Sequence, residues 1–273
     1  PDLEAEESES RVLGVIFQPV EGPLDGLRVS LDYWSVETTN AITTLGVDRL
    51  LDDDFASLIA GGAGSPNVIR GGLTQEDIDA FAAYNLANPS DQRMAVGEVL
   101  YVIDGYVNLD GREVAGYDIA ASYDFDTNSL GDFAIGASAT KIETYEETRD
   151  GSVFDELRRN GNPEWRGSLF ARWNNGPWKA GAQLRYVSDV YDSSATNDDT
   201  GDVWEVDSWT SVNGYVGYGF EGEGSILSGG DVRLGVRNLF DELPPKADES
   251  AGYLSGLYSV EGRVVYLQLS KTF

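Results

Sequence analysis

Trp165-Arg166-Gly167-Ser168-Leu169-Phe170-Ala171-Arg172-Trp173-Asn174-Asn175-Gly176-Pro177-Trp178-Lys179-Ala180-Gly181-Ala182-Gln183-Leu184-Arg185-Tyr186-Val187 reads as two strands folded about a tight turn at Asn174 to Pro177. Successive side chains of a strand leave opposite faces. Trp165, Leu169, Ala171 and Trp173 therefore share one face of the first strand, and Arg166, Ser168, Phe170 and Arg172 share the other. The second strand, carried on to Tyr191, sets Trp178, Ala180, Ala182, Leu184, Tyr186 and Val190 against Lys179, Gln183, Arg185 and Asp189. Aromatics bracket the apolar row at both ends, the girdle expected where a lipid-facing strand meets the two membrane interfaces. The opposite face carries full charges in mid-strand. Those cost several kcal/mol each in a dry core and little against a water-filled lumen.

The same alternation recurs along the chain, in about nine strands. Leu27, Val29, Leu31 and Tyr33 oppose Arg28, Ser30 and Asp32; Tyr117, Ile119, Ala121, Tyr123 and Phe125 oppose Asp118, Ser122 and Asp124; Val232, Leu234 and Val236 oppose Arg233 and Arg237. The last strand sets Val265, Leu267, Leu269 and Phe273 against Tyr266, Gln268, Ser270 and Thr272, and ends on an aromatic. Short turns at Pro19 to Gly26, Asp126 to Gly131, Asn174 to Pro177 and Glu221 to Gly230 alternate with long connections at Thr38 to Val99, Thr148 to Gly161, Asp192 to Glu205 and Asp241 to Glu261. One set of loops short and the other long is the outer-membrane barrel pattern. An odd number of strands with its first and last parallel cannot close a bacterial barrel, so the strands are expected to be part of a larger one.

Composition narrows the chemistry. Among 273 residues there is no Cys and no His, which removes thiol and imidazole chemistry and the usual zinc and haem ligands. The formal net charge of −28 lacks the basic footprint that phosphate backbones require, so no nucleic acid is expected as a partner. No apolar run reaches the roughly 20 residues of a transmembrane helix, a test that barrel strands escape because about 9 to 11 alternating residues suffice. No nucleophile elbow or phosphate loop is present, since Gly61-Gly62-Ala63-Gly64 follows a helix instead of opening one. The expectation is no enzyme, no cofactor and no catalytic residue.

The longest connection, 40–98, has helical content. Asp48 can cap a helix with Leu51, Phe55, Leu58 and Ile59 on one face, stopped by Gly61 and Gly62. Thr74 can cap a second, with Asp77 three residues on and Ile78, Phe81, Ala82 and Leu86 on its apolar face.

Several stretches resemble the TonB-dependent outer-membrane receptors. Pro1-Asp2-Leu3-Glu4-Ala5-Glu6 with Ser10 and Leu13-Gly14-Val15 is similar to that family's lead into a mid-barrel strand. Leu24-Asp25-Gly26-Leu27 through Leu31-Asp32-Tyr33-Trp34 to Asn40-Ala41-Ile42 resembles an up-strand and its loop entry. Gly235-Val236-Arg237-Asn238-Leu239-Phe240-Asp241-Glu242 with Pro244-Pro245 resembles the penultimate strand, and Tyr266 to Phe273 the terminal one. The resemblance implies that residues 1–273 are the C-terminal portion of a 22-stranded antiparallel transmembrane β-barrel in the cell outer membrane, with 40–98 an extracellular loop. It also implies partners beyond these residues: the lipid bilayer, the remaining barrel strands, a plug domain, the TonB complex reached through an N-terminal part, and a small-molecule nutrient such as an iron-siderophore, cobalamin or oligosaccharide. Relatives often carry a Cys pair in the large loop; here packing or ions must hold it. A secreted, lectin-like β-sandwich and a passive porin are the alternatives.

Three sets of residues invite sharper roles. Asp189, Asp192, Asp198, Asp199, Asp202, Glu205 and Asp207 could gather oxygens around calcium, although their spacing follows no ordered calcium loop and solvated acidity is the plainer expectation. Arg166, Arg172, Lys179, Arg185, Arg233 and Arg237 could meet an anionic substrate or an acidic plug face; balancing Asp32, Asp118 and Asp124 is the plainer role. Trp165, Trp173 and Trp178 could stack on sugar, but their alternation places them against lipid.

Overall fold

The computed structural model describes residues 3–108, 110–149, 151–220 and 228–272. Phe273, Pro1-Asp2 of the opening motif, and most of the turn expected at Glu221 to Gly230 lie outside the described residues. In chain order the elements are β1 (Glu7–Phe17), β2 (Leu27–Thr39), β3 (Ile42–Thr44), α1 (Val47–Ile59), β4 (Val68–Arg70), α2 (Gln75–Ala87), β5 (Val99–Val102), β6 (Tyr106–Asn108), β7 (Gly111–Asp126), β8 (Asp132–Arg149), β9 (Ser152–Asp155), β10 (Trp165–Asn175), β11 (Trp178–Val187), β12 (Val190–Thr196), β13 (Val203–Val206), β14 (Trp209–Phe220), β15 (Gly230–Arg237) and β16 (Val264–Lys271). Neither helix is long and apolar enough to cross a membrane.

The larger of two compact units, residues 8–38 and 112–273, is built on one sheet of order β1-β2-β7-β8-β10-β11-β14-β15-β16, with β9 extending β8. Neighbours in sequence are neighbours in space, as a meander joined by tight turns requires. At the β10–β11 turn Asn175 pairs with Trp178, leaving a two-residue loop whose Gly176 takes φ +52°, the left-handed value such a hairpin needs. The antiparallel registers settle the faces. Ala137, Leu169, Leu184 and Val212 line up across four strands, as do Val216, Leu234 and Leu267 across three.

Among the described residues nothing packs on this apolar face. Leu234 is 54% exposed and Leu267 64%. A sandwich would bury that face under a second sheet, so the soluble alternative fails here; a contiguous apolar surface of this extent belongs against lipid. Aromatics cluster at its turn end, where Phe125 stacks on Phe133 at 5.2 Å and Trp178 meets Tyr218 edge-on at 4.9 Å. At the loop end, Lys141 stands opposite Trp165 and ends the apolar row of β8. Trp165 and Trp173 are eight residues apart, roughly 27 Å along a strand, which suits a tilted strand crossing an apolar band about 25 Å tall. Trp165, Trp173 and Trp178 thus sit at the two rims of the lipid face, not in a sugar-binding groove.

The long connections are more ordered than periodicity indicated. Residues 190–206 form the hairpin β12–β13, and β9 folds back on β8. The strand starting at Trp178 ends at Val187, short of Tyr191. Val190, expected on its lipid face, is instead fully buried with Val206, Trp209, Leu254 and Tyr258. The break comes at Ser188, whose N–H donates to the Trp165 carbonyl at 2.9 Å and whose hydroxyl accepts the Trp165 N–H at 3.1 Å.

The second unit spans residues 1–7 and 39–111 and carries β3–β6, β4–β5 and both helices. Helix α1 is capped by Gly46 at φ +84°, not by Asp48, which lies inside the first turn and favours the helix through its dipole. Its buried residues are Leu50 and Asp54, so the helix is rotated from the expected Leu51, Phe55, Leu58, Ile59 stripe. Asp54 explains the rotation. Its carboxylate receives the Ser65 N–H at 2.8 Å and a hydrogen bond from Arg70, whose other nitrogen donates to the Gly97 carbonyl at 3.0 Å. Helix α2 starts as expected, with Thr74 and Asp77 in a reciprocal capping box. Its expected apolar face is not buried: Leu86 is 85% exposed. Asn85 instead clamps the Arg93 backbone through two bonds of 2.8 Å, and the Arg93 guanidinium lies between Phe55 and Tyr84 at 4.8 and 5.0 Å. Ion pairs and ring contacts hold this cysteine-free unit.

Candidate functional site

The polar face of the large sheet is the surface on which a ligand or a second domain would act. Its cations have partners other than those expected. Lys179 reaches Asp231 at 3.4 Å and Arg237 reaches Glu261 at 3.5 Å. Arg172 and Arg233 lie over rings, 4.8 Å from the Phe170 centroid and 4.3 Å from that of Tyr215. Among the described residues, Asp32, Asp118 and Asp124 pair with none of these cations. Asp118 accepts instead from the Thr140 hydroxyl at 2.5 Å, since Thr140 is the nearer donor on the adjacent strand.

Beneath each of those two rings, and beneath the ring of Tyr266, is a glycine. Phe170 is opposite Gly136, Tyr215 opposite Gly181, and Tyr266 opposite Gly235. A Cβ on Gly136 or Gly181 would come within 2.5 or 2.6 Å of ring carbons, so each ring lies flat on bare backbone. Arg172 and Arg233 then cover the exposed ring faces, an arrangement that cation–π attraction favours. Sequence reading missed this layering because it depends on cross-strand register, which alternation alone does not supply.

Arg166 and Arg185 are what remain. They occupy adjacent strands, Arg185 opposite Ser168 and Arg166 opposite Thr140. Both line a concavity of about 560 Å³ with Ser138, Ser168 and Gln183, and with Asp32 and Asp118 on its far side. Arg185 also borders a second concavity, of about 250 Å³, with Trp209, Ser211 and Asn213. Trp209 and Tyr258 pack ring on ring at 5.7 Å, and both are nearly buried, at 9% and 4% exposure. Among the described residues, neither the Trp209 Nε1 nor the Tyr258 hydroxyl has a hydrogen-bond partner. Burial pushes the Tyr258 hydroxyl above its ordinary pKa, with the Arg166 charge opposing and Asp189 adding to the rise.

The acidic stretch is dispersed. Asp189 is bound by Arg158, which also lies 3.8 Å from Glu205 and 4.7 Å from the Tyr191 ring. Asp192 is buried and accepts from the Ser194 hydroxyl at 2.5 Å and the Asp248 N–H at 2.6 Å, tying two loops together. Among the described residues no group of three or more acidic side chains is placed to hold a metal ion. Gly61 and Gly62 donate to the Leu58 and Ser57 carbonyls and end α1, as expected of a helix stop.

Comparison with known proteins agrees with this geometry. Residues 1–239 match the family described as TonB dependent receptor-like, beta-barrel. The fold is similar to that of the siderophore receptor PirA from Acinetobacter baumannii, with TM-score 0.57 and 16% identity over 100% of this chain and 32% of that one. It is similar to the ferric citrate transporter FecA in unliganded form, with TM-score 0.57 and 17% identity over 98% of this chain and 31% of that one. A ferric enterobactin receptor from Pseudomonas aeruginosa, in a G324V mutant, gives TM-score 0.55 and 15% identity over 99% and 32%. The chain therefore spans about a third of the length of these solved receptors. No curated protein matches it.

Proposed function

This chain belongs to the TonB dependent receptor-like β-barrel family, and from that membership we propose that it is the C-terminal portion of an outer-membrane receptor taking part in TonB-dependent, energy-coupled uptake of a scarce nutrient. The observation that carries the reading is the pairing of two faces on one sheet: an uncovered apolar face rimmed by aromatics, and a polar face of arginines, hydroxyls and ring-capped glycines. Lipid satisfies the first and a wet lumen the second. The long connection at residues 40–98 would be extracellular, a surface for capturing the nutrient. The work of the protein would be binding and passage, without covalent chemistry. A plug domain and the TonB complex would supply gating and energy.

Uptake in a Gram-negative host tests this. Cells expressing the receptor that contains this chain should take up its cargo only when the TonB machinery is intact, with the protein in the outer-membrane fraction. Uptake undiminished by loss of TonB would sink the energy-coupled reading in favour of a passive pore.

A further inference from the structure

We propose that a notch in the lipid face, cut across β2, β7, β8 and β10, holds one acyl chain of a phospholipid from the leaflet beside the short turns. The proposal rests on the receptor reading above, which sets this face against lipid. A concavity of about 430 Å³ is lined by Leu27, Ala121, Tyr123, Ile135, Ala137 and Leu169. All six belong to the apolar face. Ile135 and Ala137 stand opposite Ala171 and Leu169. On β7, Asp118 bonds Thr140 on the polar face, so Ala121 and Tyr123, an odd number of residues on, point the other way. On β2, Tyr33 packs against Tyr117 at 5.3 Å, and Leu27 shares its parity. The relief comes from side-chain size: Ala121 and Ala137 form a floor, and Leu27, Tyr123, Ile135 and Leu169 stand round it as walls.

The place of the notch along the strands identifies its occupant. Leu27 is the first residue of β2, and the Tyr123 hydroxyl donates to the Pro23 carbonyl in the adjoining turn at 3.3 Å, so one end lies at the turn rim. A phenol there sits at headgroup level. Leu169 is four residues from Trp165 and four from Trp173, so the other end lies midway between the two aromatic rims. The notch thus runs for half of a hydrocarbon core roughly 30 Å thick, the reach of the chains of one leaflet. A partner that crosses the bilayer would meet matching relief in both halves, whereas this lining stops at the Leu169 and Ala137 pair. None of the lining residues is charged, as a hydrocarbon chain requires. Within a bilayer the chain gains nothing by leaving water; its preference for the notch comes from close contact on several sides, which a flat face does not give.

Native mass spectrometry of the complete receptor, released from an octyl-chain detergent too short to run the length of the notch, reads the bound lipid. The probe is phosphatidylethanolamine with palmitoyl and oleoyl chains, of which one molecule should be retained per receptor. Ala121→Leu with Ala137→Leu fills the floor and should cut retention tenfold or more. Ala182→Leu, on the same face of β11 but outside the notch, should leave it within twofold. Lysophospholipids lengthened from decanoyl to stearoyl should widen the gap between wild type and the double variant until the chain reaches Leu169, after which the gap should stay constant. Heat-modifiable migration of each variant reports that the barrel is folded. No retained lipid, equal retention by the double variant and Ala182→Leu, or a gap that never levels overturns the site. A receptor dimer abolished by the double variant overturns it too, by assigning the notch to a second copy of the chain. Those results would leave the receptor reading standing if the protein still fractionates with the outer membrane and its uptake still requires TonB.

Discussion

Leu234 of β15 stands directly opposite Leu267 of β16, and more than half of each side chain is uncovered. The next residue on β16, Gln268, pairs with Arg233 on the other face. One step along the strand thus passes from hydrocarbon to water. Leu234→Arg should destabilise the folded barrel by about 2–4 kcal/mol if the residue lies near the bilayer midplane. Gln268→Arg should change it little. Denaturant titration of the receptor in lipid vesicles measures both, and equal effects would contradict the assignment of faces.

Gly181 lies under the Tyr215 ring, with ring carbons 2.6 Å from where its Cβ would be. Gly181→Val should lift that ring, strip Arg233 of its ring contact and destabilise the barrel by about 1–3 kcal/mol, the usual range for overpacking. Pairing it with Tyr215→Ala should recover part of the loss. Additive losses in that double-variant cycle would show that the ring does not rest on the glycine.

Asp54 and Arg70 hold α1 against β4. Burial alone would raise the Asp54 carboxyl, but hydrogen bonds from Arg70 and the Ser65 N–H hold it below its ordinary value. Its folded pKa is therefore below its unfolded one, near 3.9. The pair's contribution is present above about pH 4 and is lost as pH falls through the depressed value. Arg70→Ala leaves a buried carboxylate without its cation and should destabilise the unit by about 3 kcal/mol at neutral pH. Acidification should then partly restore it. Hydrogen exchange of the α1 amides, corrected for intrinsic rates, reads both effects.

Asn238 fastens the last hairpin. It takes φ +49°, receives the Glu242 N–H at 2.9 Å, and donates to the Glu242 and Glu261 carbonyls at 2.8 and 3.2 Å. Asp241 then accepts the Arg263 N–H at 2.7 Å just before β16 begins. Asn238→Ala loses these bonds and the left-handed preference together, and should cost about 2 kcal/mol. Faster proteolysis within residues 239–261 would accompany it; an unchanged cleavage rate would speak against the clasp.

Alternation was enough to count about nine strands and to read the two faces of six of them, because period two is set by the backbone and needs no partner. It failed where partners decide. Val190 continues the apolar parity of β11 but leaves the sheet, because Ser188 turns the chain and a loop core receives it. The α1 face went wrong by a rotation, since a buried Asp54 looks polar in sequence and only Arg70, sixteen residues on, makes it an interior residue. Trp209 and Tyr258 are 49 positions apart, and nothing in the sequence announces that their rings meet.

The rings laid over Gly136, Gly181 and Gly235 give the inner wall low relief. Bulky groups that would otherwise project like teeth are sunk to the level of the backbone, and flat guanidinium planes cover two of them. At these three positions the polar face presents no upright aromatic ring. What stands highest over Gly136 and Gly181 is then the charge of Arg172 and Arg233, whose reach ionic strength tunes.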